Sequence, residues 1–177
     1  MGGMVMKQNK YDKAEPFHEM SPQKAVRGVG SEQPTALISI NNMGLLLKAQ
    51  GKLDEAEPFY REALEGKRRV LGDDHPSTLI STSNTGNLLQ RQGKWAEAEP
   101  FYREALEGMR RVLGNDHPDT LASITGMGGL LVEQHKFDKA EPFLKESLEN
   151  SRRVLGNDHP STLNSINNMG LLLQQQG

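Results

Sequence analysis

Three pairs of adjacent aspartate and histidine recur in this 177-residue chain: Asp74-His75, Asp116-His117 and Asp158-His159. A carboxylate beside an imidazole can ligate a metal or move a proton, so these pairs are the first chemical candidates. Each sits in one copy of a motif: LGDDHPSTL from Leu71, LGNDHPDTL from Leu113 and LGNDHPSTL from Leu155. The starts at 71, 113 and 155 set a period of 42 residues. Zinc ligands all stand about 2 Å from the metal. Equivalent points on neighbouring helical units lie roughly 10–20 Å apart, given the spacing of packed helices. Pairs from different units therefore cannot share an ion, and a single pair is a weak, water-exposed site. The motif reads as architecture, an Asx-type turn ahead of a proline-started helix. No metal, no cofactor and no catalytic residue is expected.

Composition narrows the classes further. The chain has no cysteine, which excludes disulfides, thiolate metal sites and cysteine nucleophiles. With 21 basic and 23 acidic residues the net charge is −2, so nothing favours nucleic acid or an anionic membrane as the main partner. No apolar run approaches the roughly 20 residues of a membrane helix, and MGGMVMKQNK lacks the apolar region of a signal peptide. An intracellular, cytoplasmic protein is expected.

The elements that would carry the motif come from the repeat. Residues 71–112 and 113–154 match at about half of their positions without a gap, and VGSEQPTAL from Val29 is a weaker copy in register. A fixed period of this length means stacked supersecondary units. The division is a degenerate half-repeat over 1–28, repeats over 29–70, 71–112 and 113–154, and a half-repeat over 155–177. Each unit reads as two helices. Proline starts the first, with Leu79, Thr82, Gly86 and Leu89 forming an inward stripe before Gly93 caps the end. The second starts near Ala96 and buries Ala98, Phe101, Tyr102, Ala105, Leu106 and Met109 before Gly114 stops it. In the first half-unit Pro22 stands where later units have leucine, which predicts a kink or stop near Met20. In the third full unit, Leu144, Ser147 and His135 replace the aromatic, the alanine and the capping glycine.

A small residue, an alanine, an aromatic and a second alanine recur as Gly86, Ala98, Tyr102 and Ala105, and as Gly44, Ala56, Tyr60 and Ala63. With the LGxDHPxTL loop and the NNMG and EAEPFYREALE segments, the chain resembles tetratricopeptide repeats of the kinesin light chain type. The resemblance spans essentially the whole chain. It implies an all-α fold, a right-handed α-solenoid of antiparallel helix pairs whose first helices line a concave face.

That face gives the candidate site. It carries Asn41 and Asn42, Ser83 and Asn84, Thr125 and Gly126, and Asn167 and Asn168. One turn on come Leu45, Asn87, Gly129 and Leu171, followed by Lys48, Arg91 and Glu133. Side-chain amides both donate to and accept from an extended backbone. The peptide-binding candidates are accordingly Asn41, Asn42, Lys48, Ser83, Asn84, Asn87, Arg91, Thr125, Asn167 and Asn168. The competing reading has these groups tie neighbouring helices together. The pairs Arg68-Arg69, Arg110-Arg111 and Arg152-Arg153 read as partners of the helix dipole and of Glu62, Glu65 and Glu107.

The expected function is a non-enzymatic protein–protein interaction scaffold that binds an extended peptide or partner helix. The alternatives are a structural subunit held by convex or end surfaces, or a sensor array within a multidomain signalling protein. Self-association through the terminal helix is a further expectation, since Leu171–Leu173 lack a covering partner.

Overall fold

The computed structural model describes residues 34–176; the expectations for the half-unit 1–28 fall outside them. Seven helices follow in order: α1 (Pro34–Ala49), α2 (Leu53–Leu71), α3 (Pro76–Arg91), α4 (Trp95–Leu113), α5 (Pro118–Glu133), α6 (Phe137–Leu155) and α7 (Pro160–Gln176). No strand occurs among the described residues. The odd-numbered helices are the first helices of the units, and α1, α3 and α5 each pack against the even-numbered helix that follows. Neighbouring units stack into a right-handed α-solenoid.

The Asp-His-Pro motif makes each joint, and its two polar residues divide the work. His75 precedes Pro76 in an extended conformation, φ −69° and ψ 134°, as the proline ring requires. From there its Nδ1 accepts the N–H of Ser77 at 3.1 Å. His117 caps Asp119 N–H and His159 caps Ser161 N–H in the same way, at 3.2 and 3.1 Å. The cap is thus the imidazole, not the aspartate of an Asx turn.

The aspartates instead reach the far end of their own unit, where Asp74 pairs with Arg111 and Asp116 with Arg153. The other arginine of each pair reaches across units, Arg68 to Glu104 at 2.5 Å and Arg110 to Glu146 at 2.6 Å. Glu62, Glu65 and Glu107, the expected partners within each helix, are replaced because folding brings a carboxylate of the unit's own joint or of the adjoining unit within reach. Exposed pairs of this kind contribute about 0–1 kcal/mol each.

One joint is stronger. Burial alone would raise the Glu57 carboxyl. Hydrogen bonds from Lys94, Arg61 and Gln92, with the Arg61 charge, outweigh it and hold the group at about 2. Glu57 belongs to α2, Lys94 and Gln92 to the turn before α4, so the ions clamp two units together.

The second helices run 19 residues, and their prolines, Pro58, Pro100 and Pro142, lie six residues in, where each removes one ladder bond. Leu79, Thr82, Gly86 and Leu89 are buried from α3. Ala98, Tyr102, Ala105, Leu106 and Met109 are buried from α4, with Phe101 half-buried. The turn between paired helices needs a left-handed residue, supplied by Gly51 at φ 79° and Gly93 at φ 76°. His135 adopts φ 58° at the same place, a strained conformation for a residue with a Cβ.

At the end of the stack, α7 shows what covering helices do elsewhere. Leu163 is 52% and Leu173 61% exposed, whereas their counterparts Leu121 and Leu131 are 0% and 4% exposed. Among the described residues no helix is long and apolar enough to cross a membrane.

Candidate functional site

First helices α3, α5 and α7 pack side by side, and between them opens a recess of about 360 Å³. Its walls differ from its floor. From α3 come Ser83, Asn84 and Asn87, and from α7 come Asn164, Asn168 and Leu171. The middle helix offers Ala122, Gly126 and Gly129, with Glu133 one turn further. These α5 positions are spaced by four, three and four residues, so they lie along one stripe.

The glycines have separate reasons. A Cβ at Gly126 would stand 2.7 Å from a ring carbon of Tyr102, so its absence lets the tyrosine from α4 slide under α5. A Cβ at Gly129 would meet only Asn168, at 3.4 Å or beyond. That second glycine is not forced by packing; it keeps the recess open.

A polar relay crosses the floor. Tyr102 Oη donates to Gln90 Oε1 at 2.7 Å, and Gln90 Nε2 donates to Glu133 at 2.9 Å. Burial pushes the Tyr102 hydroxyl up to about 12, so it remains a donor across the physiological range. On the α1 side Lys48 Nζ donates to Asn87 Oδ1 at 2.5 Å and lies 5.9 Å from the Tyr60 ring centre. Burial, then the charge of Arg91, lowers the lysine below its ordinary value.

Of the candidates named from sequence, the structure gathers Ser83, Asn84, Asn87, Thr125 and Asn168 around the recess. Asn42, Arg91 and Asn167 are exposed, Asn41 is half-buried, and none of the four lines it. Lys48 touches the site through Asn87. Thr125 is 4% exposed and lines the recess from its floor. Its Oγ1 donates to Leu121 O at 2.9 Å and meets Ser147 Oγ at 2.5 Å. One residue before Gly126 is a 100° rotation, enough to turn a side chain from the groove into the seam.

Gln90, Tyr102 and Asn164 were not among the candidates. Asn164 precedes Asn168 by one turn, a spacing that could have found it. Tyr102 reads from sequence as core, and nothing local announces that its hydroxyl emerges beneath a neighbour's glycine. Among the described residues no group of three or more His, Asp or Glu could hold a metal.

A family model described as tetratricopeptide repeat matches residues 32–110, 80–151 and 122–177. Two crystal structures of a Podosopora anserina protein described as a kinesin light chain with nearly identical TPR-like repeats superpose with TM-scores of 0.79 and 0.71, each at 21% identity. The match covers 97% of this chain and 81% of the first, and 100% and 90% for the second. BtubC (BKLC) from P. vanneervenii superposes at 0.69 with 20% identity, over 97% of this chain and 65% of its own. These likenesses concern the fold. No curated protein matches the chain significantly.

Proposed function

The chain belongs to the tetratricopeptide repeat family, and on that premise we propose that it is a protein-interaction scaffold binding an extended peptide or partner helix along the recess. Tetratricopeptide repeats generally act as protein–protein interaction scaffolds. The observation that carries the placement is the set of half-buried amides, Asn84, Asn87 and Asn168, around an open floor. Such amides are oriented by the helices yet free at one edge, which suits hydrogen bonding to a backbone of any sequence. The reading assigns no catalytic residue.

The test uses peptides enriched from a random library against the 177-residue chain. Replacing Asn84, Asn87 and Asn168 together by alanine should weaken their binding at least tenfold, about 1.4 kcal/mol, with helicity retained. Unchanged affinity moves the site off this face.

A second reading is a structural subunit held by its end surface, and the exposed Leu163 and Leu173 of α7 favour it. Concentration-dependent association in sedimentation, abolished by Leu163→Glu with Leu173→Glu while peptide binding persists, would establish that role beside the groove.

A further inference from the structure

The recess is not a uniform groove, because α5 lacks side chains where its neighbours carry them. At equivalent positions 42 residues apart, α3 has Asn84 and Asn87, α5 has Gly126 and Gly129, and α7 has Asn168 and Leu171. The result is a well running lengthwise along α5. It spans about 10 Å from Gly126 to Glu133 at 1.5 Å per residue, and it ends on a carboxylate. Among the described residues Glu133 forms no ion pair; its contact is the neutral Gln90 amide. An apolar wall, Leu171, flanks the middle of the well.

We propose that this well takes a single arginine or lysine side chain of the bound peptide, its aliphatic stem over Gly126 and Gly129 and its charged end on Glu133. The inference rests on the groove reading and names the chemistry of its ligand. Long basic side chains match the well because they pair an apolar stem with a terminal donor. Arginine is the better fit, since its guanidinium can grip a carboxylate through two parallel hydrogen bonds. A short, acidic or branched apolar residue would leave Glu133 unanswered.

The adjoining first helix carries the opposite sign. Arg91 stands at the position of α3 equivalent to Glu133, is exposed, and forms no ion pair among the described residues. Neighbouring helices are roughly 10 Å apart, which an extended peptide covers in about three residues. The preferred ligand therefore carries an acidic residue about three positions from its basic anchor.

Panning a random dodecapeptide library against the intact chain tests this directly. Enriched peptides should share an arginine or lysine, with an acidic residue about three positions away. Glu133→Gln should weaken their binding about tenfold and Glu133→Lys more. Gly129→Leu should weaken it comparably by filling the well; the open space at that position lets the variant fold, as circular dichroism would verify. Enriched peptides that lack a basic residue, or that ignore Glu133→Gln and Gly129→Leu while the asparagine variant weakens them, would overturn the anchor and leave the groove standing. Enrichment of acidic peptides would do the same. If no peptide is enriched, or the asparagine variant is also inert, both readings fall.

Discussion

The units 71–112 and 113–154 share one frame and are filled with different material. In the first, Tyr102, Ala105 and Met109 close the space under α3 with an aromatic ring, a methyl group and a thioether. In the second the same positions hold Leu144, Ser147 and Ser151, all buried. Ser147 Oγ joins Thr125 at 2.5 Å and Ser165 at 2.7 Å, building a hydroxyl cluster across α5, α6 and α7. Ser151 Oγ is buried without a hydrogen-bond partner. The left-handed turn position is Gly93 in one unit and His135 in the other. On the outer surface of the first helices the contrast repeats as Asn84 and Asn87 against Gly126 and Gly129. The difference shows that the helical frame tolerates wide exchange of packing material, and that the recess opens where α5 carries glycine in place of asparagine.

Three measurements test that contrast, in order of expected effect. Tyr102→Ala should cost about 3–5 kcal/mol, the range for deleting a large buried ring. The ring serves both α4 and the floor beneath Gly126, so the loss should exceed that of Leu144→Ala by about 1 kcal/mol in denaturant unfolding. A larger cost at Leu144 would reverse the proposed ranking of the two units.

The second is acid sensitivity. Glu57 is held at about 2, below its ordinary 4.5. A lowered carboxyl contributes stability that is present above the unfolded value and is lost as the pH falls through the folded one. Thermal stability should therefore decline between about pH 4.5 and pH 2, and Glu57→Gln should flatten that decline. Glu99, the counterpart one unit later, is also lowered, by the hydrogen bond from Lys136 first, against the opposing effect of burial. Its variant Glu99→Gln should flatten the profile less, because Glu57 carries the larger lowering. Equal effects would mean the two joints are alike.

The smallest is a gain. Ser151→Ala removes a buried hydroxyl with no partner and should stabilise the chain by about 1 kcal/mol. A loss of stability would show that the hydroxyl is satisfied in solution.

Much of this molecule was legible from residues close together in sequence. Proline after histidine marked the start of each first helix, Gly114 marked the end of α4, and the inward stripe of α3 followed from spacings of three and four. The groove was legible in part. The shared register picked out Asn84, Asn87 and Asn168, which line the recess, and Thr125, which lines it from the floor while its hydroxyl turns to Ser147 in the seam. The small residues at Ala122, Gly126 and Gly129 give no polar signal, so a recess made by missing side chains was invisible as chemistry.

The Asp-His-Pro motif divides along the same line. Sequence alone determined that it is a joint, because a period of 42 residues repeats it between successive helix pairs and keeps the pairs of Asp and His from converging. It also determined the helices and their order, since capping, proline placement and periodicity act within a turn or two. Only the tertiary structure decided that histidine makes the cap while aspartate staples Arg111 or Arg153 at the far end of its own unit. It alone brought Tyr102 beneath Gly126 and left Glu133 at the end of an open well. Those outcomes depend on how far one unit is offset from the next, which is set by side-chain volumes packed across the whole interface rather than by any short stretch of chain.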